Sequence, residues 1–166
     1  VELIKLAHEA FDPRKAIRTA IKSADFFVNG QIEECISIVG KMGNPLRVPM
    51  FVQEEVAIEC PSYPYIEISL LSIPAEPHNI RASVRKHACL LAFDIKFTDD
   101  DNNDVTSFGK KVADAIVHQT RTYQCTTAGV DFLNTDNQGR IHIEYDCENV
   151  ILHWVMEISA TYNDAC

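Results

Sequence analysis

Glycine is scarce in this chain, with 6 in 166 residues. That disfavours the glycine-rich loops that cradle phosphate groups. No P-loop, G-x-S-x-G, H-E-x-x-H or dinucleotide fingerprint is present. None of the six cysteines (Cys35, Cys60, Cys89, Cys125, Cys147, Cys166) stands in a C-x-x-C pair, and their spacings match no zinc template. No run approaches the ~20 apolar residues of a membrane span. The start, VELIKLAHEA, lacks the basic region and apolar core of a signal peptide. A reducing, cytosolic site of synthesis with free thiols is therefore expected, although the even cysteine count leaves disulfides open. Basic charge is also short, 15 Lys+Arg against 24 Asp+Glu, a net charge of −9. Replacing the counterions of a nucleic-acid backbone needs Lys and Arg, so affinity for nucleic acid is disfavoured. The acidity keeps the protein soluble, and it also suits a surface that DNA passes without sticking.

What is present reads as one α+β domain over 1–166. The expected architecture is an antiparallel or mixed sheet packed by helices, with a long β-hairpin arm and a C-terminal β-hairpin. Residues 1–28 look helical. Leu3, Leu6, Ala7 and Ala10 recur at helical spacing, and Asp12-Pro13 supplies a cap and a first-turn proline. Ala16, Ile17, Ala20, Ile21 and Ala24 then form the apolar side of a helix of about 12 residues. Arg14, Lys15, Arg18 and Lys22 form its other side, read as a solvated face or as a partner-facing one. Asn29-Gly30 breaks the chain. Ile32–Val39 fits strand or helix, and KMGNPLRVP within Gly40–Pro49 reads as an irregular surface loop.

Strand signals follow. Phe51–Cys60 is a plausible strand despite Glu54-Glu55. Ile66, Ile68 and Leu70 alternate with Glu67, Ser69 and Leu71. His87–Phe97 sets Cys89, Leu91, Phe93, Ile95 and Phe97 on one face and Ala88, Leu90, Ala92, Asp94 and Lys96 on the other. Between these strands, Ile73–Ala88 is too long for a tight turn and reads as an extended arm, 73–88. Asp104 is a suitable N-cap for a helix from Val105, whose apolar stripe is Val105, Phe108, Val112, Ala115, Ile116 and Tyr123. Arg140–Asp146 and Val150–Tyr162 alternate about the turn Asp146–Asn149.

No residue is assigned a catalytic, cofactor-binding or metal-ligating role, and no cofactor is expected. Asp99-x-Asp101-x-Asn103 opens like a calcium loop, but Asp104 replaces its turn glycine and Lys110 its bidentate glutamate. His142 and His153, with Glu144 and Glu157, fall on one face of the last two strands, opposite Trp154. Two readings stay open for them, cross-strand polar pairs or a metal site. Candidate partner-contact residues are Ile80, Arg81, Arg85 and Lys86 in the arm, and Arg14, Arg18 and Lys22 on the first helix.

The element order resembles the tail terminator and tail-completion proteins of long-tailed bacteriophages, the head–tail joining family. The segments that carry the resemblance are the helix Arg14–Phe27, PYIEISLLS (Pro64–Ser72), ACLLAFDIKF (Ala88–Phe97), VTSFGKKVADAIVHQT (Val105–Thr120) and the ending Ile141–Tyr162. Gly40–Pro61 has no counterpart in that pattern. The resemblance implies a non-enzymatic virion protein, assembled in the bacterial host's cytoplasm. It would form a ring homo-oligomer, a hexamer, on the last ring of the tail tube. There it would stop tube polymerisation and present a surface to the head connector, with DNA passing through the lumen unbound. Its partners would be itself, the tail tube protein and the head connector or neck protein, with no membrane. Other neck or tail tube components, and a small ligand-binding or enzymatic α+β domain, are the competing readings.

Overall fold

A computed structural model describes residues 12–24, 26–40, 43–72, 84–98, 105–122, 130–134, 140–146 and 149–165. Among them are helices α1 (Pro13–Ile21), α2 (Gln53–Glu59) and α3 (Val105–Thr122). The strands are β1 (Phe27–Val28), β2 (Gln31–Ile32), β3 (Cys35–Val39), β4 (Pro45–Val52), β5 (Tyr65–Ser72), β6 (Val84–Thr98), β7 (Val130–Asn134), β8 (Arg140–Asp146) and β9 (Asn149–Ala165). The class is α+β, as the sequence leads one to expect.

Seven strands form one mixed sheet in the order β3-β4-β5-β6-β9, with β7 and β8 both paired to β9. Only β4 and β5 run parallel, joined through α2; every other pair is antiparallel. The spine is β6 against β9, in register from Val84↔Ala165 to Thr98↔Ile151. The far edge of β9 is shared, by β8 over Asn149–Val155 and by β7 over Ser159–Tyr162.

The alternation in β6 sets the core. Cys89, Leu91, Phe93, Ile95 and Phe97 are buried and stand in register with Ala160, Ile158, Met156, Trp154 and Leu152 of β9. Helix α3 lies on this face. Its buried side is Phe108, Val112, Ala113, Ile116, Val117 and Thr120, a stripe at helical spacing. Phe108 meets Phe97 with ring centroids 4.9 Å apart. Gly109 lets the helix backbone close onto Trp154: a Cβ built there lies 2.9 Å from both Cβ and Cε3 of that tryptophan. Ile17 and Ile21 of α1 are fully buried in the same cluster.

Several sequence expectations need correction. Helix α1 is capped as read, with the Asp12 carboxylate accepting from the Arg14 N–H at 3.0 Å and Pro13 in the first turn. It stops at Ile21, however. Ser23 is drawn to the edge of β3, where its N–H donates to the Cys35 carbonyl and its Oγ accepts from the Ser37 N–H, each at 2.9 Å. The ambiguous segment 32–39 resolves as strand β3, together with the end of a short ribbon. That ribbon, β1–β2, turns on Asn29 (φ 52°) and Gly30 (φ 79°), the left-handed pair that a two-residue hairpin loop requires.

The loop read over Gly40–Pro49 is mostly strand. Pro45 opens β4, and Val48, Met50 and Val52 point into the core. Pro49 falls where β4 leaves β3 and begins to pair with β5 at Met50, a position that tolerates a residue without an N–H. The strand read over Phe51–Cys60 ends at Val52 and becomes α2. Glu55 reaches back to accept from the Val52 N–H at 2.9 Å, Glu54 and Glu55 favour the positive end of the helix dipole, and Cys60 closes it in the left-handed region at φ 45°. The arm read over Ile73–Ala88 is strand from Val84 onward, paired with β9. Residues 1–11 and 73–83, the calcium-like loop Asp99–Asn103, Asp104 and Tyr123 lie outside the described residues. Strand β7 has no counterpart among the sequence expectations.

Candidate functional site

The basic face of α1 is turned onto the chain's own carboxylates. Arg14 contacts Asp12 at 3.1 Å and Glu54 at 2.8 Å. The Arg18 side chain, only 8% exposed, reaches Glu55 at 2.5 Å and donates to the Met50 carbonyl at 3.4 Å. Its Nε lies 2.8 Å from Glu34, yet the N–H is not aimed at the oxygen; the contact is ionic rather than a hydrogen bond. Two opposing effects act on Glu55. Burial disfavours its charged form, but the Val52 N–H bond and Arg18 outweigh that and hold its pKa below the usual carboxylate range. Asp12 is lowered in the same way, against its burial, by Arg14. The hydrogen bonds that Arg14 donates, to Asp12 foremost and then to Glu54, raise its pKa further against its partial burial.

Arg14 and Arg18 therefore tie α1 to α2, β4 and the start of β3. The solvated reading of that face does not describe Arg18, which is buried on the chain's own carboxylates. Lys22 is half-buried at the helix end and lines a groove beside the β1–β2 ribbon. Of the arm residues, Ile80 and Arg81 lie outside the described residues. Arg85 and Lys86 sit in β6, opposite Asp164 and Asn163. Among the described side chains of these candidates, Arg14 and Arg18 lie on one face of α1 and pair with the adjacent carboxylates Glu54 and Glu55 of α2.

A second cluster lies on the sheet face opposite α3. Lys96 of β6 pairs with Glu67 of β5 at 3.3 Å and sits 5.5 Å over the Tyr65 ring. Tyr65 in turn stacks with Tyr63 at 5.4 Å and meets Phe51 edge-on at 6.1 Å. On the other side, His153 Nδ1 lies 2.9 and 3.1 Å from the two carboxylate oxygens of Asp94. The histidine is buried, at 7% exposure. Burial works against the charge on Lys96, but Glu67 foremost, then Tyr65 and Asp94, raise its pKa. Burial raises that of Tyr65.

This arrangement changes the reading of the histidine face. His142 does stand opposite His153 in register. A carboxylate that meets His153 is Asp94, which the alternation of β6 puts on one face with Ala88, Leu90, Ala92 and Lys96, without a role; Glu157 is exposed. The available signal was two opposite charges, Asp94 and Lys96, inside the otherwise apolar strand ACLLAFDIKF. Among the described residues no group of three or more His, Cys, Asp or Glu is placed to hold a metal ion.

The third feature is apolar. In the β1–β2 ribbon Phe27 is 66% exposed, Val28 50% and Ile32 37%. The ribbon is its own two-stranded sheet, outside the main one. A hairpin of this size is marginal alone, and these three side chains add little to the main core. The groove beside it, about 660 Å³, is lined by Lys22, Val28, Asn29, Gln31, Ile32, Glu33 and Glu34.

The described cysteines make a direct check on this surface map. Cys60 is exposed, while Cys35 and Cys89 are buried, and burial pushes the Cys89 thiol up to about 11. The thiolate is the reactive form, so brief alkylation of the native protein followed by peptide mass spectrometry is expected to label Cys60 and spare Cys35 and Cys89. Labelling of Cys89 at the rate of Cys60 would contradict the burial of β6. Among the described residues no helix is long and apolar enough to cross a membrane. No family model matches this chain, and no curated protein matches it.

Proposed function

We propose that this chain is a non-enzymatic structural subunit that works by packing against copies of itself. The specific form is the ring of the phage tail terminators it resembles: a virion neck protein that caps the tail tube, stops its growth and joins the tail to the head connector. The observation that carries the reading is the β1–β2 ribbon, which places Phe27, Val28 and Ile32 in solvent beside a groove. In a protein of net charge −9, like-charged copies repel at long range, so a self-contact gains most from apolar surface. A ring further needs a heterologous interface between identical subunits, and a projecting ribbon is one means of supplying it.

Mass photometry, alone and with purified tail tubes, tests the reading. Closed rings are expected, with hexamers seated at tube ends. Phe27→Asp is expected to shift the population toward monomer while leaving the far-ultraviolet circular dichroism unchanged, since Phe27 is outside the core. A wild-type protein that stays monomeric at high concentration and ignores tail tubes would sink the proposal. Rings that persist in Phe27→Asp would remove the ribbon from it.

A second reading, a small ligand-binding α+β domain, draws on the part-buried Asp94–His153 pair with Lys96 and Glu67 beside it. A monomer that ignores tail tubes favours this reading over the ring. Cross-strand polar pairing accounts for these four side chains without a ligand.

A further inference from the structure

We draw no further inference here: the strongest candidate, the exposed apolar patch of the Phe27–Ile32 ribbon with the groove beside it, belongs to the surface already assigned to self-association, and nothing in the structure shows what covers it.

Discussion

Gly109→Ala is expected to destabilise the protein by about 2 kcal/mol, against the rule for its location. In the interior of an exposed helix, alanine stabilises over glycine by roughly 1 kcal/mol. Gly109 is buried, and the added methyl would lie 2.9 Å from Trp154 Cβ and Cε3. Trp154 Cβ is fixed to the backbone of β9, so the clash is not relieved by rotating a flexible end. Either α3 lifts from the sheet or β9 shifts. Overpacking of this kind costs roughly 1–3 kcal/mol, and the upper part of that range outweighs the helical gain. For a domain of this size the melting temperature is expected to fall by about 4–8 °C. Trp154 is the sole tryptophan and is 9% exposed, so its fluorescence reports the helix contact directly. A red shift of the native emission should accompany the loss of stability. Lys110→Ala, one residue on and exposed, serves as the control and should change neither. A Gly109→Ala protein as stable as its parent would mean that α3 does not approach β9 this closely.

That contact also shows where sequence reasoning reaches and where it stops. The amphipathic stripe of α3 and the alternation of β6 are local patterns, and both are legible because one buried face imposes one period. The Asp12-Pro13 cap is legible for the same reason: its hydrogen bond spans two residues. Glycine at 109 gives no such signal, since the need for it comes from Trp154, which a different segment brings up. Strand β4 is masked by Pro45 and Pro49, whose cost depends on which neighbour the strand faces at each point. Helix α2 is masked by composition. Phe51, Val52, Val56 and Ile58 suit a strand as readily, and the deciding bond, Glu55 to the Val52 N–H, competes against a pairing that only the sheet order can settle. The Asp94–His153 pair joins residues 59 apart. Alternation puts Asp94 on the face of β6 that holds Ala88, Leu90, Ala92 and Lys96, and His153 on the polar face of the last strands, but it cannot bring the two strands together. Arg18 is the sharpest case. A basic residue at helical spacing reads as solvated by default, and its burial follows from carboxylates on two other segments.

Arg18→Ala tests that burial, with an expected loss of about 2–3 kcal/mol in urea denaturation near neutral pH. Breaking a buried ion pair by removing one partner costs roughly 3–5 kcal/mol. The lower figure follows because Glu34 and Glu55 keep 38% and 31% side-chain exposure and regain water once Arg18 is gone. Arg18→Met should recover part of the loss, since the aliphatic stem still packs; the unpaired carboxylates account for the rest. The pH dependence distinguishes the ion pairs from packing alone. Glu55 has its pKa lowered from 4.5 in the folded protein. A lowered carboxylate stabilises above its unfolded value and loses that contribution as pH falls through the folded one. Arg18 is one cause of the lowering, so Arg18→Ala removes a contribution present above about 4.5 and already fading below it. The gap between parent and variant should therefore narrow from neutral pH to about pH 3. A residual acid dependence should persist in the variant, because the Val52 N–H still bonds Glu55 and because Asp12, also lowered, remains paired with Arg14. A gap of constant size across that range would assign the whole effect to lost packing of the Arg18 stem.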